Sequence, residues 1–278
     1  MSATGETYEV FALEYGRMER SSRDFYLHSP DPHEGPRPIA YYLWVIRNEA
    51  RTVVVDLGFD RASGDARGRV MLREPLDALG AIGVKPDDVK SVIITHMHYD
   101  HAGHGPEFPK AEFVLQEREA AYCTGKPMRY PPLRRSFDIE HVTGMIRANF
   151  QSRVKFVDGD ADILPGISVH LVGGHSGGLQ VVRVETANGP LVLASDAAHF
   201  YDTVTTQNPF TVIVNLPEMC AGWERIFELG AEPGRVIPGH DPLVSELYPK
   251  HRDDEMTLVL SDGPVKETPW EVWKKESL

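Results

Sequence analysis

Residues 91–95 read Ser-Val-Ile-Ile-Thr, and the next six read His96-Met97-His98-Tyr99-Asp100-His101. A short apolar run of this kind reads as a buried strand, here leading straight into three imidazoles and a carboxylate. That donor set suits a divalent transition metal such as zinc. On an extended segment His96 and His98 point the same way, while a turn at Tyr99 sends Asp100 and His101 toward a neighbouring point. One loop can therefore serve two adjacent metals. A fold built around it must bring further ligands from distant strands to the same place.

At 278 residues the chain can bury a sizeable core, as one large domain or two small ones. A net charge of -12 speaks against a nucleic-acid partner, which needs a basic stripe. Met1–Glu9 lacks the basic and then apolar start of a secretory signal, and no run reaches the roughly 18 apolar residues of a membrane span. The expectation is a cytoplasmic protein without a membrane partner. Cys123 and Cys220 stand outside any Cys-x-x-Cys pair and read as free thiols.

Aromatic and β-branched runs at Tyr41–Ile46 and Thr52–Val55 predict a strand pair joined by a turn. Leu76, Leu79 and Ile82 have helical spacing, stopped by Gly83. Strands are expected at Val92–Thr95, Glu112–Leu115, Val154–Val157, Ile167–Val172, Gln180–Glu185, Leu191–Ala194 and Arg235–Ile237. Helices are expected at Glu117–Cys123, Ile139–Phe150 and Glu218–Leu229. Thr124–Phe137, rich in Pro and Arg, reads as a surface loop. In the polar tail from Pro264, Trp270 and Trp273 are expected to dock on the body. Strands and helices alternate through both halves without a linker. The predicted fold class is α/β: two mixed β-sheets packed face to face with helices outside, an αββα sandwich forming one domain over residues 1–278.

Two adjacent metals need more than four ligands. Candidates belong at strand ends beside small residues that let a cation approach. Gly173-Gly174-His175-Ser176-Gly177-Gly178 fits, as do Ala194-Ser195-Asp196-Ala197-Ala198 and Pro238-Gly239-His240-Asp241. With the first cluster these motifs supply five histidines and two aspartates.

This ordered set resembles the metallo-β-lactamase superfamily over roughly Tyr41–Asp241. The resemblance rests on the His-x-His-x-Asp-His loop after an apolar strand and on a Gly-His 77 residues beyond His98. An Asp follows 21 residues later, and a final Gly-His 44 residues after that. Val55-Asp56-Leu57-Gly58 resembles the family's strand-ending Asp-x-Gly. Within the superfamily the layout is most similar to the quorum-quenching N-acyl homoserine lactone lactonases. The resemblance implies that His96, His98 and His175 bind one metal, that Asp100, His101 and His240 bind a second, and that Asp196 bridges them. It implies two zinc ions, other divalent metals being compatible. A bridging carboxylate and a shared water between two cations would give hydroxide near neutral pH. Asp56 is either a strand-end cap or the acceptor that orients a ligating imidazole. His104 is expected to be a loop or supporting residue rather than an eighth ligand. His28, His33, His141, His170 and His251 read as ordinary.

One position departs from these lactonases, which carry a Tyr three residues after the bridging Asp. Here it is His199. Its imidazole either donates to a developing oxyanion or packs at the edge of the site, with Tyr201 as an alternative donor. The expected activity is opening of a lactone ring by a metal-bridging hydroxide, with Asp100, Asp196 and His199 as the catalytic residues and Asp100 passing a proton to the leaving alkoxide. The alternative is hydrolysis of another ester, a thioester or a cyclic amide by the same site. A non-catalytic or redox di-metal protein is a more distant reading. The partner is a small lactone or ester, and a homodimer is compatible. Substrate contacts are expected from residues 1–40, chiefly Tyr15–Pro38, and from 124–137. Within these, Arg129, Arg134 and Arg135 could meet a carboxylate, or could simply be solvated. Phe25, Tyr26, Phe108 and Phe137 could wall the cleft or belong to the core.

Overall fold

Val10, Phe11, Ala12 and Leu13 are apolar at every position, and all four are sealed from solvent. A strand of that kind must be covered on both faces. It is part of β1 (Glu9–Ser21), which lies inside the larger of two sheets in this computed structural model of residues 5–28 and 35–276. The strand period of two sorts its side chains. Val10 and Ala12 face the core between the sheets, while Phe11, Leu13 and Tyr15 face a second core on the outer side. The next strand, β2 (Pro36–Arg47), repeats the division: Tyr42 and Trp44 point inward, Tyr41 and Leu43 outward.

The larger sheet continues with β3 (Thr52–Val55), β4 (Val70–Met71), β5 (Ser91–Ile93), β6 (Glu112–Gln116) and β7 (Val154–Val157). The smaller sheet holds β8 (Ala161–Leu164), β9 (Ile167–Leu171), β10 (Gln180–Thr186), β11 (Gly189–Ser195) and β12 (Val236–Pro238). The chain then returns to the larger sheet with β13 (Lys250–His251) and β14 (Asp254–Val259). The orders are β13-β14-β1-β2-β3-β5-β6-β7, with β4 on β1, and β12-β11-β10-β9-β8. Neighbours from β3 through β5 and β6 to β7 are parallel, as are β11 and β12; the other pairs are antiparallel.

The α-helices are α1 (Arg61–Ala66), α2 (Pro75–Ala81), α3 (Glu117–Thr124), α4 (Pro131–Arg134), α5 (Ile139–Phe150), α6 (Tyr201–Thr205), α7 (Leu216–Gly230), α8 (Val244–Leu247) and α9 (Pro269–Glu276). Ala78 and Leu79 of α2 and Val142 and Ala148 of α5 fill the core outside the larger sheet. Met219, Trp223, Ile226 and Leu229 of α7 cover the smaller one. The layers are therefore helix, sheet, sheet, helix, as the alternation of elements predicts.

Several expectations need adjustment. β1 and the start of β2 lie where no strand was expected, because Val10–Leu13 is apolar on both faces and shows no half-buried pattern. The hairpin of β13 and β14 and the short β8 were not anticipated. The 124–137 stretch is not plain loop: Lys126–Arg129 forms a 3-10 turn and α4 follows it. Trp270 is fully buried, its Nε1 donating to the Tyr201 carbonyl at 2.6 Å. Cys123 and Cys220 are free. Among the described residues no helix is long and apolar enough to cross a membrane.

Candidate metal centre

The parallel strands all point toward one end of the sandwich, and their C-terminal ends deliver the polar side chains there. β3 ends at Asp56, β5 runs into Thr95–His101, β11 into Asp196 and β12 into His240; His175 follows β9 across a glycine turn. Two glycines are forced by close approach. A Cβ on Gly174, which has a φ of +83°, would lie 2.5 Å from the Met219 backbone nitrogen. One on Gly239 would lie 2.6 Å from the Ser195 carbonyl oxygen. Asp56 and Ser195 adopt φ of 58° and 45° without being glycine, an uncommon conformation that aims the chain at these strand ends.

All seven predicted ligands are buried and converge. His96, His98, His175 and Asp196 bring one ligand atom each within 4.8 Å of one another, and so do Asp100, His101 and His240. A third grouping joins Asp196, His199 and His240, so His199 stands closer to the ligand set than its sequence context suggests. Asp196 Oδ2 lies 3.0 Å from His175 Nε2 and 3.7 Å from His96 Nε2. Its Oδ1 lies 2.9 Å from His240 Nε2 and 3.4 Å from His101 Nε2. Each carboxylate oxygen thus faces one group.

The outer hydrogen bonds fix the tautomers. His240 Nδ1 lies 2.8 Å from the Ala40 carbonyl, which can only accept. His101 Nδ1 lies 2.7 Å from Asp56 Oδ2. Thr95 Oγ1 donates to Asp56 Oδ2 at 2.8 Å, so its 3.1 Å contact with His96 Nδ1 requires the imidazole to donate. In their neutral forms all three present an Nε2 lone pair to the interior of the site.

Those lone pairs need something positive in front of them. His98 Nδ1 lies 3.0 Å from His96 Nε2 and 2.9 Å from His175 Nε2. Nitrogens bound to one tetrahedral zinc at about 2.0–2.1 Å stand about 3.3 Å apart, so the trio is close to that spacing. Protons are a poor substitute at His96 and His98. Burial, reinforced by the neighbouring imidazoles, holds both well below the usual imidazole pKa. At His101 and His240 burial also opposes charge, but carboxylates led by Asp196 outweigh it and raise both. Burial opposes ionisation of Asp196, yet His199, His240, His101 and His175 hold it well below the usual carboxylate range. The donor set fits two divalent cations.

Supporting residues include one the sequence did not flag. Glu119 of α3 is fully buried and accepts from Met97 N at 2.8 Å, Ser176 Oγ at 2.7 Å and Gly178 N at 2.8 Å. It ties the His96–His101 loop to the His175 loop. In Glu117-Arg118-Glu119 nothing in the sequence distinguishes it, and only its place facing the sandwich end separates it from Glu117. Asp56 both caps and orients: besides His101 it accepts from Thr95 N at 2.8 Å.

His199 is buried, stacked face to face on Phe210 with ring centroids 3.7 Å apart, and its Nε2 lies 3.1 Å from Asp196 Oδ2. Burial lowers its pKa to about 4 against the pull of Asp196. Tyr201 packs edge-on against Trp270, outside the cleft lining. His104 joins no ligand group. His141 pairs with Asp60 at 2.6 Å and His170 with Asp160 at 3.0 Å, while His251 packs edge-on against Phe11. His33 lies outside the described residues.

A cleft of about 430 Å³ opens over the ligands. Met18, Arg20, Phe25, Ile39 and Arg135 line it from the two segments expected to do so. Arg129, Arg134, Tyr26, Phe108 and Phe137 do not. Phe108 is core, Tyr26 donates to Asp202 Oδ1 at 2.6 Å, and Phe137 packs edge-on against His98 behind the site.

Comparison with known proteins agrees with this geometry. An N-acyl homoserine lactonase of Bacillus cereus is 30% identical over 135 residues, 48% of each chain. The N-acyl homoserine lactonase AttM of Azorhizobium caulinodans is 30% identical over 173 residues, 58% of this chain and 62% of the relative. The chain spans about half the length of the first of these relatives. A solved quorum-quenching N-acyl homoserine lactone lactonase superposes with a TM-score of 0.72 at 20% identity, covering 86% of this chain and 95% of that one. AidC, a dizinc quorum-quenching lactonase, superposes at 0.65 with 16% identity, covering 84% and 87%. The Metallo-beta-lactamase superfamily profile matches residues 37–249, and with two mixed sheets whose strand ends gather the candidate ligands, the chain belongs to that superfamily.

Proposed function

We propose that this chain is a dinuclear, zinc-dependent hydrolase that opens a lactone ring. The observation that carries the proposal is Asp196, whose two oxygens face two separate groups of buried ligands. His96, His98 and His175 would hold one cation, Asp100, His101 and His240 the other, and Asp196 would bridge. When bound, such a pair of cations lowers the pKa of a shared water and polarises a carbonyl. The dizinc character of AidC supports zinc, and the lactonase relatives support a lactone as substrate.

The chain's own residues contribute position and proton control. Asp56, Thr95 and the Ala40 carbonyl hold three imidazoles in the tautomer that turns Nε2 inward. His199, neutral near pH 7, donates from Nε2 to Asp196 Oδ2 in the resting site and lines the cleft. A substrate carbonyl entering there would compete for that proton. Asp100 lines the cleft and would carry the proton of the attacking hydroxyl to the departing ring oxygen.

The test is a substrate panel on metal-analysed protein: γ-lactones beside a thioester, a linear ester and a β-lactam. Preferential turnover of lactones is expected. Faster turnover of the thioester or the β-lactam would replace the lactonase reading with that activity.

A further inference from the structure

The chain carries a net charge of -12, yet the cleft over the ligands is lined by four arginines, Arg20, Arg67, Arg69 and Arg135. Beyond the candidate ligand carboxylates Asp100 and Asp196, only Asp24 among the described residues offers the lining a negative group. Two divalent cations would outweigh the ligand carboxylates and leave the cleft strongly positive. A single-sign cleft in an oppositely charged protein concentrates counter-charged ligands.

Arg67 and Arg69 are built into the site. Both flank α1 and β4 and are clamped on Tyr99, the residue between His98 and Asp100. Arg67 lays its guanidinium over the Tyr99 ring at 4.3 Å, and Arg69 Nε donates to Tyr99 Oη at 2.7 Å. Arg69 Nη1 donates to the Arg67 carbonyl at 2.8 Å and abuts Met18 Sδ. Half-buried, Arg69 makes no contact ion pair among the described residues, Asp100 acting on it only from beyond contact distance, and its Nη2 has no partner there either. Arg67 is held by the Ser63 and Phe137 carbonyls, with Asp138 no nearer than 3.6 Å. Taking a guanidinium out of water beside a second one is unfavourable unless an anion compensates. Arg20 and Arg135 lie exposed at the rim and likewise have no acidic partner among the described residues.

We infer that the cleft recognises a lactone bearing an anionic oxygen group away from the scissile ester, with Arg69 and Arg67 as its inner contacts and Arg20 and Arg135 at the rim. This rests on the hydrolase reading of the same site. It sets the chain apart from an enzyme for uncharged acyl homoserine lactones. A guanidinium recognises carboxylate and phosphate alike, so the inner pair fixes the charge and not the acid.

The test uses matched lactones on zinc-loaded protein: N-succinyl-homoserine lactone, its uncharged isostere N-pentanoyl-homoserine lactone, and the 3-phosphonopropanoyl analogue. At least one anionic lactone is expected to exceed the neutral one about tenfold or more in kcat/KM, the worth of one charge-assisted hydrogen bond. Whichever anion leads identifies the acid. Arg69→Met should collapse that ratio through KM, and so should the rim variant Arg20→Met/Arg135→Met if Arg69→Met fails to fold. Arg129→Met, outside the cleft, should leave the ratio intact. A ratio near one in the unaltered protein, or one that survives both arginine variants, overturns the inference. Calorimetric binding of the ring-opened N-succinylhomoserine and N-pentanoylhomoserine separates the two readings. If no lactone turns over but the succinyl compound binds about tenfold tighter, and less so in the variants, lactonase activity fails and the anion site stands. Equal binding of the two compounds overturns it.

Discussion

His101 donates from Nδ1 to Asp56 Oδ2 at 2.7 Å, and neither side chain reaches solvent. That one bond decides which nitrogen of His101 faces Asp100 and Asp196. Asp56→Ala frees the imidazole to change tautomer and leaves Thr95 N without its acceptor. The variant should bind zinc about ten- to a hundredfold more weakly, as other orienting partners of ligating imidazoles do. Competition against a chromogenic chelator measures it, and unchanged zinc affinity would reduce Asp56 to a strand cap.

Glu119 performs the same service for two loops at once. Glu119→Gln keeps the shape but gives the Met97 and Gly178 N–H groups and the Ser176 hydroxyl a single amide oxygen in place of two carboxylate oxygens. Zinc should be lost from the His96, His98 and His175 group first, because both loops of that group lose an anchor. Extended X-ray absorption on the one-equivalent protein would show a ligand set with fewer imidazoles. An unaltered set would make Glu119 a folding residue only.

The candidate ligands were legible in the sequence because their chemistry is local: a His-x-His-x-Asp-His run, two Gly-His turns and one Asp at strand ends. The fold brings all seven of these side chains together. The layering was legible from the alternation of elements. β1 was not, since its Val10–Leu13 stretch is buried on both faces and has neither the period of two nor a polar side. Glu119, Arg67 and Arg69 were invisible for a different reason. Their roles depend on which way α3 and the segment after α1 face, and that is set by packing across the sandwich rather than by neighbours in the chain. Tyr201, a sequence-level alternative to His199, is turned by the same packing toward Trp270.

His199 lies between Asp196 and the ring of Phe210. If its proton serves the substrate carbonyl, His199→Ala should lower turnover about ten- to a thousandfold, at or below the worth of one oxyanion donor. Both zinc ions should stay bound. His199→Tyr should recover part of the rate and shift preference toward acyl homoserine lactones. Loss of a zinc ion from the Ala variant would instead place His199 among the groups that hold the metals.

Away from the site, Arg73 Nη1 meets Asp254 Oδ2 at 2.5 Å, with both side chains 14% exposed. Burial opposes charge on Asp254, but donors from Thr257 and Arg73 hold its pKa below the ordinary value. A carboxyl depressed in the folded state stabilises fully above its unfolded value of about 3.9 and loses that contribution as pH falls through the lower folded value. Asp254→Asn should therefore destabilise the protein at pH 7 by about 1 kcal/mol, and the gap should narrow in acid, as the pH falls through the depressed folded value. Denaturant unfolding of chelated protein at pH 7 and in acid checks this, and a gap that persists undiminished in acid would contradict it.

The central claim is that two metals act together on a lactone. Protein stripped with a chelator, titrated with zinc and assayed for lactone hydrolysis at each step, tests it most directly. The account predicts no turnover in the stripped protein and a rise that saturates at about two equivalents per chain, matched by elemental analysis of the same samples. Full activity at one equivalent, or in the stripped protein, would contradict it.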